Sequence, residues 1–265
     1  MTTSVPSPDT PASSPIPATA AVLVIGDEIL SGRTKDQNIA VLAKFLRTHG
    51  LDLIEVRIIP DHTKTIKDTV NGLRARADLV ICTGGIGPTH DDRTAASIAQ
   101  AFSQPLIEHD EALAAMQAYY ESRGQDLNEG RRKMATVPEG ASLITNPLTI
   151  APGFKIGNVI ALAGVPSIMQ AMLEGVIPYL PAGAPPRSIT VRCDLPESVI
   201  AAALAQIDDH WPAVTIGSYP KDPAGDILQV DVVLTSREAD SLAKACQEAE
   251  DKISALGGTP RVLES

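Results

Sequence analysis

Aromatic side chains make up only 3% of this 265-residue chain, and just three cysteines, Cys82, Cys193 and Cys246, are scattered along it. Few aromatics leave the core to Ala, Val, Ile and Leu. Three widely spaced cysteines form neither a disulfide framework nor a CxxC metal or redox motif, so core packing is their expected use. Excess positive charge is also missing. The formal charge is −10, which disfavours non-specific binding to nucleic acid or anionic membranes, because counterion release needs a cationic surface. No stretch approaches the ~18 uninterrupted apolar residues that span a bilayer, and neither a lipidation signal nor a basic leader is visible. We therefore expect a cytoplasmic protein with no membrane partner. What is present, 44% hydrophobic and 20% charged residues, suffices for a sizeable globular core.

Residues 1–19 are rich in Pro, Ser and Thr and read as a disordered tail. Ala20 to Ile25 is a continuous apolar run ending at Gly26, as expected for a strand buried on both faces of a parallel sheet. From Gln37, the residues Ile39, Leu42, Ala43 and Leu46 fall at helical spacing, with Asp36 as N-cap and Gly50 just past the end. The alternation continues with a strand from Leu53 to Ile59, a helix from Thr65 to Arg76 and a strand from Leu79 to Thr83. Further helices are expected at Thr94 to Phe102, Glu111 to Arg123, around Arg131, and Pro166 to Leu180, with a strand at Asn158 to Ala163. Alternating β and α predicts an α/β domain, a doubly wound parallel sheet, over residues 20–180.

A Pro-rich stretch, Pro178 to Pro186, reads as a linker. Beyond it come a strand (Ser188 to Leu195), a helix (Glu197 to His210), strands Val214 to Tyr219 and Ile227 to Thr235, and a helix (Ser241 to Leu256). This βαββα order predicts a small antiparallel α+β module over residues 187–262.

The chemistry gathers where three strands end. Open α/β sheets bind ligands beyond the C-terminal edge of their strands, and here those edges carry Gly26-Asp27-Glu28, Asp61 and Thr83-Gly84-Gly85-Ile86-Gly87-Pro88-Thr89-His90-Asp91-Asp92. Gly84, Gly85 and Gly87 are expected at positive φ, Pro88 stiffens the turn, and a helix starting near Asp91 or Asp92 would aim N–H groups at a phosphate or pyrophosphate. The loop fits neither the Walker pattern nor G-x-G-x-x-G. Adjacent Asp91 and Asp92 beside a phosphate cradle repel the ligand unless a cation such as Mg²⁺ bridges them. The same pair also suits a helix start, and Thr89 with Asp92 has capping-box spacing, so both readings stand at this point. His90 could touch the ligand, and Arg131, Arg132 and Lys133 could meet a second phosphate or simply form a solvated face. Trp211 and Tyr219 read as packing residues of the small module.

Taken together, Thr83 to Thr94, Gly26 to Gly32 and Asp36-Gln37-Asn38 resemble the molybdopterin-binding (MoaB/Mog-like) superfamily, nearest to the N-terminal part of CinA proteins and the corresponding domain of FAD synthases. Pro60-Asp61, Val137-Pro138, Ala151-Pro152-Gly153, Gly164-Val165-Pro166 and Ile216 to Pro220 extend the similarity over nearly the whole chain. The resemblance implies a three-layer α/β/α sandwich followed by a KH-type module. It implies a small-molecule ligand, molybdopterin or a dinucleotide, homo-oligomers, and metal-dependent hydrolysis of pyrophosphates such as ADP-ribose or FAD. It assigns catalysis to Asp61 and Asp92, metal contact to Asp91 and Asp92, and ligand contact to Gly26, Asp27, Glu28, Thr83, Gly84, Gly85, Gly87, Pro88 and Thr89. A non-catalytic pterin or nucleotide carrier is the alternative. Nucleic-acid binding is disfavoured by the charge and by the lack of a Gly-x-x-Gly loop between Gly217 and Gly225. The chain departs from the family pattern at Thr149, where glycine is usual, at Ala163, and at Ile168, where a glutamate that could contact the ligand is usual.

Overall fold

The computed structural model describes residues 17–221 and 229–263, so most of the N-terminal tail, Gly225 and the expected strand start at Ile227 lie outside the described residues. Two compact units emerge, Pro17–Gly183 and 184–263. The first unit begins with β1 (Thr19–Ile25), α1 (Asp27–Leu30), α2 (Asn38–Thr48), β2 (Asp52–Ile59), α3 (Thr63–Arg74), β3 (Leu79–Thr83) and α4 (Thr94–Ala101). It continues with β4 (Leu106–Glu108), α5 (Asp110–Glu121), α6 (Glu129–Lys133), β5 (Thr136–Pro138), β6 (Ser142–Ile144), β7 (Gly153–Ile156), β8 (Val159–Leu162) and α7 (Pro166–Val176).

Six strands form one sheet in the order β2-β1-β3-β8-β7-β6. The first four run parallel, while β7 and β6 pair antiparallel. The sheet is therefore mixed, which corrects the all-parallel expectation. Tight connections explain the reversal: β7 and β8 are joined by the two-residue turn Gly157-Asn158, with Gly157 at φ 56°, and so must run antiparallel. The short ribbon of β4 and β5 stands apart from this sheet.

The strand β1 is buried along nearly its whole length because both faces are covered. Ala21, Leu23 and Ile25 pack with Ile66, Val70 and Leu73 of α3 and Ile98 of α4. On the opposite face, Ala20, Val22 and Val24 pack with Leu42 and Leu46 of α2 and Met169, Met172 and Val176 of α7. This is the three-layer sandwich, and each large aliphatic side chain so buried contributes about 1.5–3 kcal/mol. The caps act largely as the sequence indicated. Asp36 Oδ1 accepts from the Ile39 N–H (2.9 Å), although Gln37 holds the cap backbone position, and Gly50 ends α2 at φ 81°. The expected helix to Leu180 stops at Val176 and tightens into a 3-10 turn, Ile177–Tyr179, that includes Pro178.

The second unit comprises β9 (Arg187–Cys193), α8 (Glu197–His210), β10 (Thr215–Pro220), β11 (Val230–Ser236), α9 (Ala239–Ala255) and β12 (Arg261–Leu263). Its sheet is wholly antiparallel in the order β10-β11-β9-β12. The fourth strand, β12, was not foreseen, since three residues after a glycine pair carry no periodic signal. Val230, Val232 and Leu234 share the buried face, as their alternation required. Trp211 packs at the edge of this core, whereas Tyr219 is 57% exposed, contrary to the packing role expected for it. All three cysteines are free and buried, and burial pushes the Cys82 thiol up to about 12. No described helix is long and apolar enough to cross a membrane.

Candidate functional site

Parallel β1, β2 and β3 place their C-terminal ends side by side, and the register aligns Ile25 with Ile59 and Val24 with Thr83. The segments that follow are stitched together. Gly26 N–H donates to Ile59 O (3.1 Å), Gly84 N–H to Leu162 O (3.1 Å), and Asp27 N–H to Asp61 Oδ2 (3.0 Å). Asp61 is thus held against Gly26-Asp27-Glu28, 34 residues earlier in the chain, as the strand-end argument anticipated.

The glycine loop is tighter than a generic turn. Gly84 (φ 98°) and Gly85 (φ 67°) occupy the left-handed region, and added side chains would collide with Ile25 O and with the Thr94 hydroxyl respectively. An added Cβ at Gly85 would also lie 3.3 Å from Asp61 Oδ1, which sets the loop directly against that carboxylate. Gly87, expected at positive φ, is not there; an added Cβ would sit 2.8 Å from Asp92 Oδ2, so a side chain at this position would have to displace the Asp92 carboxylate. The following helix also starts later than expected. Buried Thr94 opens α4, donating its N–H to Gly85 O (2.9 Å) and its hydroxyl to Gly84 O (2.8 Å). Asp91 and Asp92 therefore lie in the loop before α4, so the helix-start account of this pair does not hold. Asp92 closes a loop turn by accepting from the Thr89 N–H (2.8 Å) and hydroxyl. Among the described residues, no protein acceptor takes the N–H groups of Gly85, Ile86 and Gly87, so three consecutive donors remain for an anion.

Electrostatics separates the carboxylates. Partial burial pushes the Asp61 carboxyl up, the Asp27 N–H works against this, and the charges of Glu28, Asp27 and Asp91 push it up further. Asp91 moves the other way, lowered by the nearby Thr89 hydroxyl, whose proton nevertheless goes to Asp92, by a backbone N–H, and by the charges of His90 and Lys133. Every acidic group here offers oxygen, the donor type of a hard cation. Among the described residues no three acidic, His or Cys side chains converge on one point. Fewer than three protein side chains would thus meet a cation here, and water or ligand oxygens would have to complete its shell.

Two clefts flank the loop. One, of about 420 Å³ including space open to solvent, is lined by Gly85, Gly87, Asp92, Lys133, Val137 and Phe154. The other, of about 340 Å³, is lined by Glu28, Lys35, Asn38, Thr83, Gly164 and Pro166. Within the second, Asn38 Oδ1 and Thr83 Oγ1 are buried without a partner, while Asn38 Nδ2 donates to Gly164 O (2.8 Å). A buried acceptor left open is costly unless a ligand or water supplies a donor. The sequence marks Asn38 only as part of the family motif; the placement of its amide comes from its bond to Gly164, 126 residues away.

Of the basic cluster, only Lys133 reaches the loop, donating to Thr89 O. Arg132 pairs with Glu108 (2.7 Å), and Arg131 stacks on Tyr120. His90 points into solvent, with its side chain 94% exposed. Thr149 is accommodated where glycine was usual: its hydroxyl accepts from Asn146 Nδ2 (2.6 Å), and the left-handed conformation falls on Ile150 (φ 62°) instead. Ile168 packs against the α2 face of the core, so no carboxylate stands there.

Comparison with known proteins agrees with this architecture. Residues 21–182 match the family described as probable molybdopterin binding domain, and residues 185–256 match the FAD synthase middle domain. A protein of Pyrobaculum calidifontis is 35% identical over 247 residues, covering 89% of this chain and 92% of its own. A CinA-like protein of Syntrophus aciditrophicus is 33% identical over 234 residues; these cover 84% of this chain but 56% of the relative, so the chain spans about half of that protein's length. The crystal structure of CinA from Thermoplasma acidophilum superposes with a TM-score of 0.57 at 35% identity, over 62% of this chain and 98% of that one. A MoaB/Mog-like sandwich joined to an FAD synthase middle domain places this chain in the molybdopterin-binding domain family, among its CinA-like members.

Proposed function

We propose that the strand-end site is a metal-dependent pyrophosphatase centre acting on a dinucleotide such as ADP-ribose or FAD. The observation that carries this reading is Asp61, a part-buried carboxylate surrounded by Glu28, Asp27 and Asp91 and set directly against a glycine loop with three open N–H donors. Like charges at this spacing favour an external cation, and the open N–H groups favour a phosphate beside it. Asp91 and Asp92 would hold Mg²⁺ or another divalent ion. Bound there, it supplies Lewis-acid polarisation and charge neutralisation at the pyrophosphate. The N–H groups of Gly85, Ile86 and Gly87 orient the phosphoryl oxygens and stabilise the charge that builds on them. Asp61, whose raised basicity suits a general base, takes the proton of the attacking water. Lys133, at the mouth of the larger cleft, offsets the remaining negative charge.

Incubation of purified protein with ADP-ribose or FAD and Mg²⁺, Mn²⁺ or Co²⁺ should release AMP, and Asp92→Ala should slow that release at least ~100-fold. No AMP release, or release unaffected by Asp92→Ala, overturns the assignment. A second reading, a non-catalytic molybdopterin or nucleotide binder, is favoured by Ile168 in place of the glutamate and by Asn38 Oδ1 with Thr83 Oγ1, which suit the N–H groups of a heterocyclic base. Calorimetric binding without turnover would select it.

A further inference from the structure

The helices α8 and α9 cover one face of the C-terminal sheet, where Val191, Val232 and Leu234 share a core with Ile200 and Leu242. Side chains alternate along a strand, so the residues between these stand on the other face. The register orders them into rows. One row reads Tyr219, Asp231, Arg192, Arg261 across β10, β11, β9 and β12, and the next reads Gly217, Val233, Thr190, Leu263. Tyr219 and Arg261 are exposed, and Val233, Thr190 and Leu263 are half-buried, so solvent reaches this face from one edge to the other.

The first row is electrostatically unbalanced. Arg192 and Arg261 stand directly opposite each other in an antiparallel pair, where like charges are unfavourable. Arg192 donates Nε and Nη2 to the two oxygens of Asp231 (2.7 and 3.0 Å), and Lys221 also reaches that carboxylate (3.2 Å). The other N–H groups of Arg192, and all those of the Arg261 side chain, meet no acceptor among the described residues. Asp194, two residues beyond Arg192, accepts the Thr259 N–H (2.7 Å). Three cations thus face two carboxylates that are already engaged. The acidic residues of α8 and α9 lie behind the sheet, so the negative charge of the whole chain does not describe this face.

Tyr219 adds an aromatic surface to the same row. Its ring lies over Gly217, where an added Cβ would sit 3.0 Å from it, and 57% exposure of the residue leaves the outer ring face open. A planar base joined to a phosphate matches both features at once. Tyr219 and Arg192 stand two strand spacings apart, roughly 10 Å, a span that an extended mononucleotide and an arginine side chain close together.

We propose that this open face of the C-terminal sheet is a second ligand site, taking a nucleoside monophosphate with its base on Tyr219 and its phosphate between Arg192 and Arg261. Guanidinium groups bind phosphate through paired N–H donors, and the anion relieves the opposition of the two arginines. No residue of the strand-end site takes part, so the assignment stands independently of the activity proposed there.

NMR titration of the full chain with AMP tests the assignment, because each resonance reports its own site. The methyl signals of Val233 and Leu263 should shift saturably. Adenosine and inorganic phosphate each meet one half of the site and should bind there at least tenfold more weakly. Arg261→Glu should weaken AMP at least tenfold, whereas Arg261→Lys should retain most of the affinity. Tyr219→Ala should cost about tenfold, the loss of one base stack. Asp61→Asn should leave these shifts unchanged, which separates this outcome from any at the strand-end loop. Both substituted side chains are exposed, and circular dichroism checks that the fold is kept. The proposal is overturned by the absence of saturable shifts at Val233 and Leu263, or by AMP binding indifferent to Arg261→Glu or Tyr219→Ala. An adventitious ion only, seen as inorganic phosphate binding as tightly as AMP, or tighter binding of a single-stranded oligonucleotide overturns it as well.

Discussion

Two part-buried aspartates, one in each unit, show opposite solutions to the same electrostatic problem. Asp231 on β11 is 6% exposed and is met by Arg192 on β9 (2.7 Å) and Lys221 (3.2 Å), which hold its carboxyl below the usual range. Asp61 gets a single backbone N–H, and partial burial first, then the charges of Glu28, Asp27 and Asp91, push its carboxyl up. Asp231 has its cations built in, Asp61 does not, and the function proposed for the strand-end site rests on that difference.

The largest test of this contrast is cation binding. At a hundredfold excess over Kd, Mg²⁺ or Mn²⁺ should stabilise the N-terminal unit by about 2.7 kcal/mol in thermal melts, and much less in Asp61→Asn. An equal shift in both would break the contrast. Next in size, Arg192→Met should destabilise the C-terminal unit by about 2 kcal/mol in urea titrations, because Asp231 keeps only Lys221. A neutral effect would show that Asp231 does not depend on its built-in cation.

The pH responses should have opposite signs. A raised carboxyl binds its proton more tightly in the folded than in the unfolded state, so Asp61 costs stability as pH rises through its folded value. Asp61→Asn should therefore raise the melting temperature by about 2 °C at pH 7 without metal, and the gain should vanish below the ordinary carboxylate value of about 3.9. Asp231, lowered, stabilises at neutral pH and loses that contribution as pH falls through its folded value, so Asp231→Asn should be destabilising at pH 7. The smallest effect belongs to solvent-exposed His90: His90→Ala should leave melting unchanged and AMP release within about twofold.

The long elements were legible because period and burial coincide in them. The runs in β1 and β3 are apolar throughout, since both faces are covered, and α2 and α3 show their stripes because one face is solvated. Strands of three and four residues such as β6 and β7 carry too few residues for a period, and the antiparallel edge they build was lost with them. At the site, the residue types were visible but not their local geometry. Dipole reasoning placed a helix start at Asp91 or Asp92, whereas the Thr94 hydroxyl and amide, bonded back to Gly84 and Gly85, delay it. Lys133 gave no sign separating it from Arg131 and Arg132, because the distinction rests on which neighbour each meets: Thr89 for Lys133, Glu108 for Arg132 and Tyr120 for Arg131.

By itself the sequence determined that glycines and carboxylates would stand at the ends of consecutive parallel strands, because the βα alternation and strand-end chemistry are local. Only the tertiary structure decided which of those groups meet. Asp61 reaches the Asp27 amide through the β1–β2 register, Asn38 Oδ1 and Thr83 Oγ1 are left without a partner by the packing of separate segments, and β2 stands at the sheet's edge because no other described strand pairs with it. Each of these is a contact, or a missing contact, between segments far apart in the chain, and its energy depends on distances that no local pattern encodes.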